Sequence, residues 1–127
     1  MNKVIIMGRI TRQLELRKTQ NNKSVLSFSV AVDRGYNKLG EEKLTDFINV
    51  VCWGKTADFV ATYFIKGQLI ALEGALQTRQ YQDSKGNTRY ITEVVADNVY
   101  FTGDRRKTET ETKTKKYQYQ EKDNFPF

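Results

Sequence analysis

Thr45-Asp46-Phe47-Ile48-Asn49-Val50-Val51-Cys52-Trp53-Gly54-Lys55 is the segment that decides how the rest of the chain is read. Apolar and aromatic residues fill its interior, and Asn49 alone interrupts them. With a period of two, Ile48, Val50 and Cys52 share one face, and Phe47, Asn49, Val51 and Trp53 share the other. The first face is small and aliphatic, as a core requires. The second carries two large rings and an amide. A strand buried through one face rarely needs a tryptophan on its second, so the aromatic face is expected to meet something flat.

Working outward, residues 24–32 alternate in the same way, with Leu26, Phe28, Val30 and Val32 on one face and Val25, Ser27, Ser29 and Ala31 on the other. That is a half-buried strand. Residues 4–10 form a short apolar strand, which Glu15-Leu16-Arg17 extends or restarts, and Gln20-Asn21-Asn22-Lys23 is a turn. Residues 34–43 are polar, contain Gly35 and Gly40, and read as a loop around Tyr36. After the opening segment the period changes. Ala57, Val60, Ala61 and Phe64 fall on one helical face, with Asp58 and Lys66 placed to suit the helix dipole and Gly67 as a C-terminal cap. Residues 68–81 return to strand, with Gly74 expected at a bulge or bend. Asp83-Ser84-Lys85-Gly86-Asn87 is a hairpin loop, and residues 88–101 form the return strand, on which Tyr90 could face Tyr81. The count is about five strands with one helix between the third and fourth.

Composition narrows the function. The 127 residues suffice for one domain with its own core. No apolar run approaches the ~20 residues needed to span a bilayer, and the N-terminus does not read as a signal peptide, so a cytoplasmic protein is expected. There is no histidine, and the one cysteine, Cys52, lies on the aliphatic face of its strand. Those facts argue against a zinc site or a Ser–His relay, and no carboxylate pair stands out; no enzyme activity, cofactor or metal is expected. The 21 basic residues exceed the 15 acidic ones, a net charge of +6, which favours a polyanionic partner.

From Asp104 to Gln120 there is no aliphatic residue. Such a segment cannot bury enough surface to offset its ordering entropy, so residues 104–127 are read as a disordered tail following a domain of residues 1–103. The extreme end, Asp123-Asn124-Phe125-Pro126-Phe127, is different. Two phenylalanines and the only proline there suggest a short linear motif that docks in a partner's pocket.

A five-stranded chain with a helix after the third strand fits the OB-fold, an all-β Greek-key barrel. Several short motifs carry a more specific likeness. Asn2-Lys3-Val4, Met7-Gly8-Arg9-Ile10-Thr11, Thr45-Asp46-Phe47-Ile48-Asn49-Val50-Val51, Trp53-Gly54-Lys55-Thr56-Ala57, Glu73-Gly74-Ala75-Leu76-Gln77-Thr78-Arg79 and Thr92-Glu93-Val94-Val95-Ala96 resemble the bacterial single-stranded DNA-binding protein family, in its order and spacing. The resemblance covers residues 1 to about 103. It implies an OB-fold that assembles, most often as a homotetramer, and that binds single-stranded DNA without sequence preference. It also implies base stacking at Tyr36, Phe47, Trp53 and Tyr81, where the family often has tryptophan at the first, second and fourth.

For Phe47 a place in the core stays open as an alternative, and for Tyr90 a plain cross-strand pair. Arg9, Arg34, Lys55, Arg79, Lys85 and Arg89 fall near strand ends or loop tips and are the candidate phosphate contacts. The family's tail ends in acids followed by an aliphatic residue, proline and phenylalanine, and that tip recruits replication and repair proteins. Here Phe125 replaces the aliphatic residue, and the acids are thinned to Glu121 and Asp123. The tail holds seven basic against five acidic residues, and its shortness would suit a phage or mobile-element copy. Asp123, Phe125, Pro126 and Phe127 are the expected docking tip. The competing expectation is an OB-fold RNA-binding or primosome-type accessory protein.

Overall fold

Antiparallel pairing turns the alternation of the sequence into a core. The structure is a computed structural model that describes residues 1–35, 40 and 44–104. Strands β1 (Val4–Ile10), β2 (Arg17–Lys18), β3 (Ser24–Asp33) and β4 (Thr45–Trp53) precede helix α1 (Gly54–Tyr63), and β5 (Leu69–Gln82) and β6 (Thr88–Phe101) follow it. The sheet order is β1-β5-β6-β4-β3-β2. This is the expected all-β arrangement, consistent with the OB-fold, with the two-residue β2 as an addition at the edge.

The sheet curls but does not close as a regular barrel. β1 reaches β3 only through Arg9↔Ala31 and Ile10↔Val30, and β4 meets β6 only through Val50↔Val94 and Val51↔Val95. Ile10, Leu26, Phe28, Val50, Leu72 and Val94 point inward and are almost wholly buried. Each stabilises the fold by about 1.5–3 kcal/mol through burial. Cys52 is among the buried residues, and burial pushes its thiol up to about 12.

Helix α1 packs against β3, β4 and β6 through the expected face, with Ala57 and Val60 buried. Its end differs from expectation. Phe64 is the C-cap in an extended conformation, and its N–H donates to the Val60 carbonyl at 3.0 Å. Gly67 instead belongs to a turn closed by Gln68 N–H on the Ile65 carbonyl, and donates its own N–H to Ile10. Neither Asp58 nor Lys66 lies in a terminal turn of the helix; Asp58 accepts a hydrogen bond from the buried Ser24 hydroxyl at 2.6 Å. The aromatic residues Phe59, Phe64 and Phe101 gather where α1 ends, with Phe64 and Phe101 stacked 4.9 Å apart.

Gly74 is at the expected bulge, since the β5–β6 register shifts between Glu73 and Gly74. A Cβ there would stand 2.0 Å from the Val95 carbonyl oxygen, a backbone atom with nowhere to go. Beyond the bulge the hairpin outgrows the core. From Leu76 to Tyr90 every residue but Asp83 is exposed. The tip is held by the Asp83 carboxylate, which accepts the N–H groups of Lys85 and Asn87, both at 2.9 Å, and Arg89 Nε at 3.0 Å. Those bonds, the one from Asn87 first, lower its pKa.

Candidate nucleic-acid interface

The outward face of β4 is the one with the rings. In the β3–β4 register Ala31 stands opposite Phe47, Ser29 opposite Asn49, Ser27 opposite Val51 and Val25 opposite Trp53. Small neighbours on β3 cannot cover large rings, and Phe47 and Trp53 remain 68% and 40% exposed. Phe47 is therefore outside the core. Directly after Trp53 the chain turns into α1 through Gly54, at φ +58, which favours glycine and leaves Trp53 at the very end of the strand.

The same face continues onto the long hairpin. Val51 pairs with Val95, Val95 with Ala75, and from there the partners Gln77↔Glu93, Arg79↔Ile91 and Tyr81↔Arg89 alternate onto the same side. Phe47, Trp53, Arg79, Tyr81 and Arg89 thus lie on one side of the sheet and are exposed there, with Val51 and Glu93 buried between them. Tyr90 pairs with Gln80, not with Tyr81, so its ring lies on the opposite side of the hairpin. Tyr36, and the tip residues Asp123, Phe125, Pro126 and Phe127, lie outside the described residues.

Four of the candidate phosphate contacts are already held by carboxylates. Arg9 donates to Asp104 at 2.9 Å and to the Gly67 carbonyl at 3.1 Å. Asp104, the first residue of the expected tail, also accepts the Leu69 N–H at 2.8 Å. Arg34 makes a two-pronged contact with Asp46 at 2.9–3.2 Å, which lowers the Asp46 pKa. Arg79 Nε donates to the nearly buried Glu93 at 3.1 Å, and Arg89 to Asp83. A guanidinium has five N–H donors, so one carboxylate positions it without exhausting it. Lys55 and Lys85 make no ion pair among the described residues. Lys85 is at the hairpin tip, but Lys55 lines a shallow recess between α1 and β6 with Thr56, Phe59, Asp97, Asn98 and Val99 rather than joining the β4 face.

Sequence reasoning missed Lys23, whose Nζ lies 5.3 Å from the Trp53 ring centroid. The residue reads as part of a turn, and only the pairing of Val25 with Trp53 brings it to the ring. It also missed the carboxylates that hold the arginines. Among the described residues no group of three or more His, Cys, Asp or Glu could hold a metal ion, and no helix is long and apolar enough to cross a membrane. What the face does offer is exposed aromatic rings near carboxylate-paired arginines.

Comparison with known proteins agrees with that chemistry. The profile of the single-strand binding protein family matches residues 1–102. The chain belongs to that family. This family member is 40% identical over 109 residues to a "Single-stranded DNA-binding protein" of Streptococcus mutans, covering 86% of this chain and 66% of that one. It is 47% identical over 102 residues to one of Clostridium tetani, covering 80% and 70%. It is 44% identical over 101 residues to "Single-stranded DNA-binding protein 1" of Staphylococcus aureus, covering 80% and 65%. The matched segment therefore spans about two thirds of the length of those relatives.

Proposed function

We propose that this protein binds single-stranded DNA without regard to sequence. The observation that carries the reading is the shared outer face of β4 and the β5–β6 hairpin, on which Phe47, Trp53 and Tyr81 are exposed beside Arg79 and Arg89. A single strand offers a charged phosphate and a flat base at every nucleotide. The rings stack on bases, each for about 1–3 kcal/mol, and every base has a face to stack. The cations neutralise phosphates and release counterions, with a salt slope of about −0.7 per phosphate. Neither contact reads a base edge, so the binding is blind to sequence. Tyr36 is the fourth stacking position of this reading, and Arg9, Arg34, Lys55 and Lys85 extend the phosphate track.

In a cell such a protein covers exposed single strands in the cytoplasm during DNA replication, recombination and repair. Its domain is residues 1–103, with Asp104 bonded to it through Arg9 and Leu69, and the tip of the segment that follows, Asp123, Phe125, Pro126 and Phe127, docks replication and repair proteins. Deleting residues 123–127 is expected to abolish pull-down of those partners while leaving DNA affinity intact; equal pull-down would remove the docking role.

The domain self-associates through β1, as a tetramer by family resemblance. Ile5 and Met7 are exposed on the outer side of β1, with Tyr100 on the same face two strands away. Ile5→Asp is expected to lower the sedimenting mass; an unchanged mass would move the contact elsewhere.

Titration with poly(dT), duplex DNA and single-stranded RNA across a salt series tests the function. Tight, saturable binding to poly(dT) and much weaker binding to duplex is the expected result. Equal affinity for duplex would overturn the reading, and a preference for RNA would favour an RNA-binding or primosome-type role.

A further inference from the structure

The turn between β2 and β3 is closed from several directions. Thr19 N–H donates to the Lys23 carbonyl at 2.9 Å, Asn22 N–H donates to the Thr19 carbonyl at 2.8 Å, and Lys23 N–H donates to the Thr19 hydroxyl at 3.1 Å. Asn22 adopts φ +63, the left-handed conformation that asparagine tolerates better than most residues. The base of the turn is tied to the helix, since Lys18 Nζ donates to Ser24 Oγ at 3.1 Å and Ser24 donates to Asp58 on α1 at 2.6 Å. A turn built in this way fixes the backbone of its last residue and so the point from which its side chain starts. That residue is Lys23, with Nζ 5.3 Å from the centroid of the Trp53 ring.

The neighbouring cations are otherwise engaged. Lys18 is bonded to Ser24, and Arg17 lies 3.6 Å from Glu15. Lys23 makes no ion pair among the described residues, and the ring is what holds its ammonium. Attraction between a cation and an exposed ring is weak, and a phosphate is a far better partner.

We propose that Lys23 and Trp53 form one nucleotide subsite, in which the indole takes the base and the Lys23 ammonium takes a phosphate flanking that base. The proposal rests on the reading of Trp53 as a stacking ring. A nucleotide carries its charge a short distance from its base, so a lysine held beside the ring meets the phosphate without another segment being ordered. When the base arrives, the ammonium leaves the ring for the phosphate. Stacking and charge neutralisation at this position are therefore coupled.

The test uses the full chain with Lys23→Ala, Lys23→Arg, Trp53→Ala and the Lys23→Ala/Trp53→Ala double variant. Binding is read by anisotropy of a labelled oligo(dT) across salt, with circular dichroism as the folding control. Lys23→Ala is expected to weaken binding several-fold at low salt and to make the salt slope shallower by about 0.7, while Lys23→Arg keeps the slope. The Lys23→Ala loss is expected to shrink when Trp53 is already alanine. An unchanged slope in Lys23→Ala, or losses that simply add in the double variant, would overturn the proposal. Quenching of wild-type Trp53 emission by poly(dT) separates the two readings. If emission is unaffected, stacking itself fails; if it is quenched while Lys23→Ala keeps the full slope, only the subsite fails.

Discussion

Phe47 stands directly opposite Ala31 in the β3–β4 pairing, and a methyl group is all that faces its ring across the strands. The ring is exposed while its strand neighbours Ile48 and Val50 turn toward the core. A phenylalanine in this position contributes little to folding through burial. Phe47→Ala is expected to weaken oligo(dT) binding by about 1–3 kcal/mol while leaving the thermal midpoint nearly unchanged. A large fall in the midpoint would put the ring in the core after all.

The ion pairs make a second expectation. Arg79 faces the same surface as Tyr81, but Glu93 draws on its charge from a nearly buried position. Glu93→Gln removes the competing charge and keeps an oxygen able to accept from Arg79 Nε. Oligo(dT) affinity at low salt is expected to rise, and the salt slope to steepen by up to about 0.7. A slope identical to wild type would mean that Glu93 does not restrain any contact of Arg79 with phosphate.

These arrangements also show what the sequence could and could not convey. The split of β4 into an Ile48–Val50–Cys52 face and a Phe47–Trp53 face was legible, because alternation is a property of neighbouring residues. The bulge at Gly74 was legible for the same local reason. Strand register was not. Tyr81 opposes Arg89 rather than Tyr90, a shift of one residue that sends Tyr90 to the other side of the hairpin. The carboxylate partners of the arginines were equally hidden, since Arg9 meets Asp104 across 95 positions of chain. The end of α1 went to Phe64, which leaves the helix in an extended conformation, rather than to the better-looking Gly67, whose N–H is taken by the distant Ile10 carbonyl. Lys23 over Trp53 depends on register and turn geometry together.

Cys52 gives a pH expectation. Its thiol is raised from an ordinary 9.0 to about 12 by burial. Above pH 9.0 the unfolded chain releases this proton and the folded one does not, so ionisation favours unfolding. The stability from Cys52 is fully present below pH 9.0 and declines as pH rises toward about 12. Urea unfolding across that window is expected to show a steeper loss for wild type than for Cys52→Ala. Parallel curves, or rapid thiol labelling of the folded protein at pH 8, about one unit below the ordinary value, would contradict a closed core around this residue.

Trp53 is the chain's only tryptophan, so its emission reports one point on the proposed face and nothing else. Addition of poly(dT) at low salt tests the account most directly. Saturable quenching of that emission, reversed by added salt, is the predicted result; unchanged emission when the protein is saturated with DNA would contradict it.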